Sequence, residues 1–328
     1  MTDVAFRTQE RLVSDRSESE WVVDVVYGST SVSGSSAIAR ILNPRRSDGD
    51  HSFGPLASDG DLDGDGYADL VVADSEYGNG IGRLYVYRGS ASGVVHEPSA
   101  TIAAPVEAWG SAGFGECVFG VGDVNGDRLG DVLGCEGNRP AADLYLGNST
   151  ASLVFGYRIE TMDDFARGAG RGAGFGSGSG MSGDFDGDGI AEILVGCSAC
   201  VGPDAGPPLS NESTAYGRIF SYSWIMGRLN QRWIVTGRTY EEGGLVNPIG
   251  YAMGSAGDVN GDGFDDFWYV VGMLPSASQR GGIVLHLGGA VFEMNSPRVI
   301  VGVDLPVDAS PGEFGRVTAF RTGRGRMG

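Results

Sequence analysis

One nine-residue pattern occurs four times in this 328-residue chain, and its recurrence limits the fold more than any bulk property does. The first copy is Asp61-Leu62-Asp63-Gly64-Asp65-Gly66-Tyr67-Ala68-Asp69. The others start at Asp123, Asp184 and Asp258, so two nearly equal intervals are followed by a longer one. Self-similarity at a near-fixed period is the mark of a repeat architecture. An apolar run follows each copy at once (LVVAD, VLGC, ILVGC and FWYVVG). These runs are β-branched, aromatic and bounded by glycine, so they read as strands.

The pattern is a metal loop in form. Positions 1, 3, 5 and 9 carry oxygen side chains: Asp61, Asp63, Asp65 and Asp69; Asp123, Asn125, Asp127 and Asp131; Asp184, Asp186, Asp188 and Glu192; Asp258, Asn260, Asp262 and Asp266. Position 7 (Tyr67, Leu129, Ile190 and Phe264) would add a backbone carbonyl. Hard oxygens at this density suit Ca²⁺, which takes six to eight of them in a flexible shell. Glycine at positions 4 and 6 lets the backbone curl around an ion at positive φ. Arg128 takes the second of these positions in loop two, so that loop is expected to be strained. An EF-hand would need a bidentate glutamate at position 12 and flanking helices. Position 12 is Val72, Gly134, Val195 or Tyr269, and that reading fails. Plain Asp/Gly turns would share the composition, but not one ligand spacing four times over.

Charge and composition fit a calcium protein. The net charge is −19, with 42 acidic residues against 23 basic ones, none of them lysine. The loops hold 14 carboxylates among their 16 side-chain ligands, so four Ca²⁺ would bring the charge to −11. No basic stripe exists to neutralise phosphates, which argues against a nucleic-acid partner. No apolar run is long enough for a membrane span. The opening stretch, MTDVAFRTQERLVSDRSESE, lacks a signal peptide's apolar segment. Glycine is far above its usual share, as many tight turns between short strands require.

Each unit holds more than its loop. Phe53-Gly54, Phe114-Gly115, Phe175-Gly176 and Ile249-Gly250 stand eight or nine residues before the first loop aspartate. After the loop come strand, turn and strand, as in Val86–Ser90 with Ala100–Pro105. Residues 25–44 repeat that back half without a loop. Four short strands per unit of about 60 residues is the composition of a β-propeller blade.

Phe-Gly, a short strand, Gly-Asp-x-Asn/Asp-Gly-Asp-Gly, then Asp and an apolar strand resembles the FG-GAP repeat. The resemblance covers nearly the whole chain. It implies an all-β fold, a β-propeller of four-stranded blades related to that of integrin α subunits and of bacterial integrin-α-like proteins. The units are about 1–50 (partial blade), 51–112, 113–173, 174–247, 248–312 and 313–328 (first strand of a partial blade). Five unit starts are visible where the integrin propeller has seven. The chain therefore reads either as a five-bladed ring, closed by residues 20–44 with 314–320, or as a truncated or frameshifted piece of a seven-bladed one. In the ring, residues 3–13 would have to supply the composite blade's second strand.

The function implied is a Ca²⁺-stabilised ligand-binding or adhesion module of a surface or secreted protein. Protein or glycan ligands would bind loops on one face, around Ala104–Gly113, Thr161–Gly174 and Val201–Tyr216. The alternative is a propeller lectin or hydrolase-associated propeller with an axial pocket, for which Trp109, Trp224, Trp233 and Trp268 are available. No reaction is expected, because His51, His96 and His286 stand in no nucleophile or metal-protease motif. Gly168–Gly180 has no strand-loop-helix setting and reads as a connection, not a phosphate loop. If loop two joins antiparallel strands, Cys117 and Cys135 lie nearly opposite and could pair, while Cys197 and Cys200 could close locally.

Overall fold

Apolar side chains follow each acidic loop without alternation, and there the chain forms strands buried on both faces. The computed structural model describes residues 4–11, 19–27, 38–44, 53–58, 60–105, 113–137, 141–150, 152–160, 175–198, 200, 217–236, 239–240, 245–246, 249–271, 282–290 and 298–300. Strands β1 (Val4–Arg11), β2 (Ser19–Val26) and β3 (Ile38–Leu42) form a three-stranded sheet. Four four-stranded sheets follow among the described residues. They are β4 (Leu56–Ala57), β5 (Leu70–Asp74), β6 (Arg83–Tyr87) and β7 (Ala100–Ala103); then β8 (Phe114–Gly122), β9 (Asp131–Glu136), β10 (Ala141–Leu146) and β11 (Val154–Glu160). Next come β12 (Phe175–Gly183), β13 (Glu192–Cys197), β14 (Arg218–Ile225) and β15 (Arg228–Thr236). A two-stranded ribbon, β16 (Thr239–Tyr240) with β17 (Leu245–Val246), precedes the last sheet. That sheet is β18 (Met253–Gly257), β19 (Asp266–Val271), β20 (Gly282–His286) and β21 (Arg298–Ile300).

Sequence neighbours pair with one another throughout, the meander order of a propeller blade. Each acidic loop joins the first two strands of its sheet. The expected four strands per unit are present, and β1 supplies the strand expected within residues 3–13, paired from Val4↔Val26 to Arg11↔Ser19. The last unit start, residues 314–320, lies outside the described residues, as do Trp109 and most of the three long connections. Two elements have no counterpart among the sequence expectations: the β16–β17 ribbon, and a helical turn, α1 (Tyr77–Gly80), with Gly78 and Asn79 at φ 62° and 63°.

The chain divides into two compact units, residues 1–123 with 127–159, and residues 124–126 with 160–328. In the first unit three sheets stack face to face. Along β5, Leu70 and Val72 enter a core shared with Val23, Ile41 and Phe53, while Val71 and Ala73 enter one shared with Phe114, Val132 and Tyr145. Period-two alternation makes this central strand apolar on both faces. In the second unit Met181, Leu194 and Ile219 pack with Ile249, Phe267 and Val284. Arg158 neutralises two buried acids: its Nε meets Asp143 Oδ1 at 2.7 Å and its Nη2 meets Glu136 Oε1 at 2.8 Å.

The Phe-Gly element interlocks neighbouring sheets. Phe114 is fully buried, and its ring packs against Tyr145 at 5.9 Å between centroids. Gly115 follows at φ 82°, pressed so closely to the preceding sheet that a Cβ would meet Ala73 and the Arg83 carbonyl oxygen. Ile249 and Gly250 repeat this in the second unit, with Gly250 at φ 83° against Cys197 and Arg218. The branched aliphatic side chain fills the role of the ring. Cys117 and Cys135 face each other across β8 and β9 and are bonded, as are Cys197 and Cys200.

Removing the Phe114 ring leaves a cavity between two sheets with little scope for collapse. Phe114→Ala is expected to lower the unfolding free energy by roughly 3–5 kcal/mol, measured by urea titration. A loss below about 1 kcal/mol, the range of surface changes, would contradict the interlock.

Candidate metal centre

An aspartate followed by Gly or Asp tends to bond its own backbone two residues on, and the loops are built from such bonds. In loop one Asp63 Oδ1 accepts from Asp65 N at 3.1 Å, and Asp65 Oδ1 from Tyr67 N at 2.9 Å. Asp61 gathers the loop around itself. Its Oδ1 accepts from Gly64 N at 2.6 Å and its Oδ2 from Gly66 N at 2.7 Å. Loop four repeats the set: Asp258 accepts from Gly261, Asp262 and Gly263, and Asp262 from Phe264. Asp123 in loop two accepts from Asp127 and Arg128, and Asp184 in loop three from Gly189.

Every loop has the expected twist. Positions 4 and 6 have positive φ: 83° and 94° in loop one, 80° and 74° in loop two, 76° and 90° in loop three, 79° and 94° in loop four. The 74° belongs to Arg128, the strained position that the sequence exposed. In loops one and three position 4 is glycine for a second reason. Leu129, position 7 of loop two, lies over Gly64, and Phe264, position 7 of loop four, lies over Gly187.

The position-9 carboxylate is buried in all four loops, at 2%, 1%, 2% and 0% exposure for Asp69, Asp131, Glu192 and Asp266. It staples the loop to its sheet. Asp69 Oδ2 accepts from Leu62 N at 2.9 Å, and Oδ1 from Gly89 N, just beyond β6, at 2.8 Å. Asp266 holds Val259 N and Gly288 N in the same way, and Asp131 holds Gly147 N. Glu192 accepts from Phe185 N and from the Ser223 hydroxyl.

Within these frames carboxylates converge. One oxygen each from Asp61, Asp63 and Asp69 lies within 4.8 Å of the others, and Asp184, Asp186 and Glu192 do the same. These groups could hold a metal ion. Asp65 and Asp188 stand outside the close triplets, turned to the amides of Tyr67 and Ile190. In loop four position 3 is neutral, and Asn260 donates to Asp262 Oδ2 at 2.8 Å; Asn125 is its equivalent in loop two. Burial lifts Asp69 to about 6, and burial followed by repulsion from Asp186 lifts Glu192 to about 7. Asp184 and Asp266 are raised mainly by burial as well.

Sequence reasoning missed the residues that reach the loops from elsewhere. Arg88 Nη2 lies 2.5 Å from Asp63 Oδ2, and Arg232 Nη2 4.0 Å from Asp186 Oδ2. The glycine amides that cap position 9 come from the far end of the sheet's third strand, at offsets too uneven to register as a motif. Of the tryptophans considered for an axial pocket, Trp224, Trp233 and Trp268 lie on three different strands. Trp233 stacks on Phe267 at 5.8 Å, and Trp224 pairs with Leu229 in a hairpin. Trp268 is the next residue after Phe267 on the same strand and projects to its other face.

In the metal-free protein Asp69 and Glu192 titrate above the ordinary 3.8 and 4.5 of free carboxylates. The folded state then binds more protons than the unfolded state across that window. Chelator-treated protein should melt at rising temperature as pH falls from about 8 to about 5, and its cation affinity should weaken over the same range. A melting temperature that falls steadily instead would contradict the buried-carboxylate assignment. Arg128→Gly should relieve the left-handed strain and, net of the glycine's added unfolded-state freedom, stabilise by roughly 0.5–1 kcal/mol. Urea unfolding reads this directly, and a loss of stability would show that the Arg128 side chain does more than tolerate its backbone.

Comparison with known proteins finds a family likeness for loops one and two. Residues 61–134 match the family profile described as an FG-GAP-like repeat. No curated protein matches the chain at a significant level. Similar solved structures include the crystal structure of a protein from Lactobacillus plantarum, with 12% identity over 85% of this chain and 67% of that one and a TM-score of 0.45. The matched stretch, from the first aspartate of loop one to the strand beyond loop two, is similar to an FG-GAP-like repeat.

Proposed function

We propose that the four loops bind Ca²⁺ as structural ions, that the sheets are blades of a β-propeller, and that the protein is a ligand-binding or adhesion module of a surface or secreted protein. The observation that carries the cation reading is the convergence of three carboxylate oxygens within 4.8 Å at Asp61, Asp63 and Asp69, and again at Asp184, Asp186 and Glu192. Like charges held this close and partly desolvated repel, and a dication turns that repulsion into attraction. Ca²⁺ accepts irregular oxygen shells, whereas Mg²⁺ demands near-octahedral geometry and keeps its waters. The residues that would hold it are Asp61, Asp63, Asp65 and Asp69 with the Tyr67 carbonyl, and their equivalents in the other loops. The ion's role would be mechanical: it fixes the turn between two strands, so that the sheet and the connections it carries keep one geometry.

The binding role rests on analogy with the FG-GAP family rather than on a described ligand site. Among the described residues no helix is long and apolar enough to cross a membrane. A pocket beside loop three is lined by Phe185, Asp186, Glu192, Ser223, Arg232, Trp233 and Ala290. Its volume of about 60 Å³ is well below that of pockets that enclose small molecules. It suits an ion with water better than a sugar, so the lectin reading gains nothing from it, and no reaction is assigned.

Titration calorimetry of chelator-stripped protein with Ca²⁺, with melting curves at both ends, tests the proposal. Three or four sites and a rise in melting temperature of more than about 10 °C are expected, from the linkage of binding to folding. Absence of both heat and shift would reduce the loops to turns and remove the physical basis of the reading.

A further inference from the structure

Loops one and three carry an acid at position 3, Asp63 and Asp186, where loops two and four carry Asn125 and Asn260. An arginine approaches the acid in both cases. Arg88 Nη2 lies 2.5 Å from Asp63 Oδ2, and Arg232 Nη2 lies 4.0 Å from Asp186 Oδ2. Arg88 directly precedes the glycine whose amide caps Asp69. The residues in the same place before Gly147 and Gly288, the caps of Asp131 and Asp266, are Leu146 and Leu287. Asp with Arg in loop one thus stands against Asn with Leu in loops two and four. Loop three reaches the same pairing from another strand.

The extra acid at position 3 of loop one is matched by a cation in contact with it. Loops two and four each present three carboxylates at the ligand positions, and loops one and three present four. Counting ligand positions alone, Arg88 brings loop one to a net −3 and Arg232 does the same for loop three; Arg128 in loop two and Asp265 in loop four are charged but stand outside the ligand positions. We infer that Arg88 is a built-in counter-charge that sets the cation affinity of loop one, with Arg232 in the looser equivalent role at loop three. The inference rests on the cation reading proposed above.

Arg88 meets Asp63 on one carboxylate oxygen, Oδ2. The Asp63 side chain is 1% exposed, and its Oδ2 has no hydrogen-bond donor, so the guanidinium charge is its main compensation on that side. The Asp63 Oδ1 is held by Asp65 N. The backbone beneath Arg88 is fixed at both ends, by Gly89 N on Asp69 and by Val95 N on the Arg88 carbonyl. Without an ion, Arg88 offsets a buried carboxylate among three neighbours. With an ion bound, it draws on the same carboxylate and lowers the charge the ion feels. Ligand charge count is a principal determinant of Ca²⁺ affinity. Arg88 therefore trades affinity for stability of the empty loop.

The test uses the full chain, stripped of metal, titrated with Tb³⁺ and then with Ca²⁺ in competition. Loop one has a tyrosine at position 7, so emission sensitised by Tyr67 reports that loop, and Tyr67→Phe identifies its share of the signal. Arg88→Leu is expected to raise loop-one affinity about tenfold through the added net charge and, in the opposite direction, to lower the melting temperature of the stripped protein. Asp63→Asn with Arg88→Leu recreates the composition of loops two and four and should return affinity to within about threefold of the parent, on the same charge count. Arg88→Gln keeps the side-chain stem and serves if the leucine variant does not fold. Unchanged or weaker affinity in the Arg88 variants, with the parent binding normally, would overturn the counter-charge inference alone. Failure of the parent and all variants to bind either ion would overturn the cation reading and this inference with it.

Discussion

The interaction on which the rest depends is the buried carboxylate at position 9. It is desolvated, yet in loops one and four each oxygen has a backbone amide to accept, one from the start of its own loop and one from the turn beyond the third strand. A carboxylate buried without such donors would be costly. With them it closes the acidic loop against the sheet and fixes where the second strand begins. Removing it would leave two amides unpaired beside the loop's remaining acids. The loop, the sheet and the third-strand turn therefore form one cooperative unit rather than a ligand set attached to a scaffold.

A second set of backbone bonds joins one sheet to the next. In the first unit the carbonyls of Asp61 and Leu62 accept from Gly130 N and Asn148 N of the following sheet, at 2.8 and 2.9 Å. In the second unit the carbonyls of Asp184 and Phe185 accept from Asp265 N and Gly289 N, both at 2.9 Å. These donors hold the same positions in their own sheet: position 8 of the loop, and the residue after the capping glycine. Acidic loop, capping turn and sheet-to-sheet contact thus meet at one place in the repeat.

The loops are legible in the sequence because their chemistry is local. Ligand spacing and positive-φ glycines all fall within one short pattern, and even the exception, Arg128 at φ 74°, is visible as a break in it. The strands after the loops are equally plain, since burial on both faces leaves no polar alternation. The Phe-Gly element shows as a recurrence, but its purpose, a ring in one core and a glycine against the previous sheet, needs the packing. Arg88 is not legible. Strands β5 and β6 separate it from Asp63 in the chain, and nothing local marks it as a partner. The β16–β17 ribbon hides in the longest interval between loops, and the α1 turn depends on Gly78 and Asn79 adopting left-handed conformations that no periodicity announces.

In the two joints described, main-chain atoms on both sides make these bonds, and Asp265 Oδ2 adds one from Asp184 N in the second. Such bonds ask little of side-chain identity beyond the glycines that stand there, since a Cβ on Gly130 would meet Gly60 and one on Gly147 the Gly130 carbonyl. The packed cores beside them are more demanding, because Phe114 or Ile249 must fit the neighbouring sheet. Divergence between repeats is therefore cheap at the backbone joint and restricted where those side chains interlock.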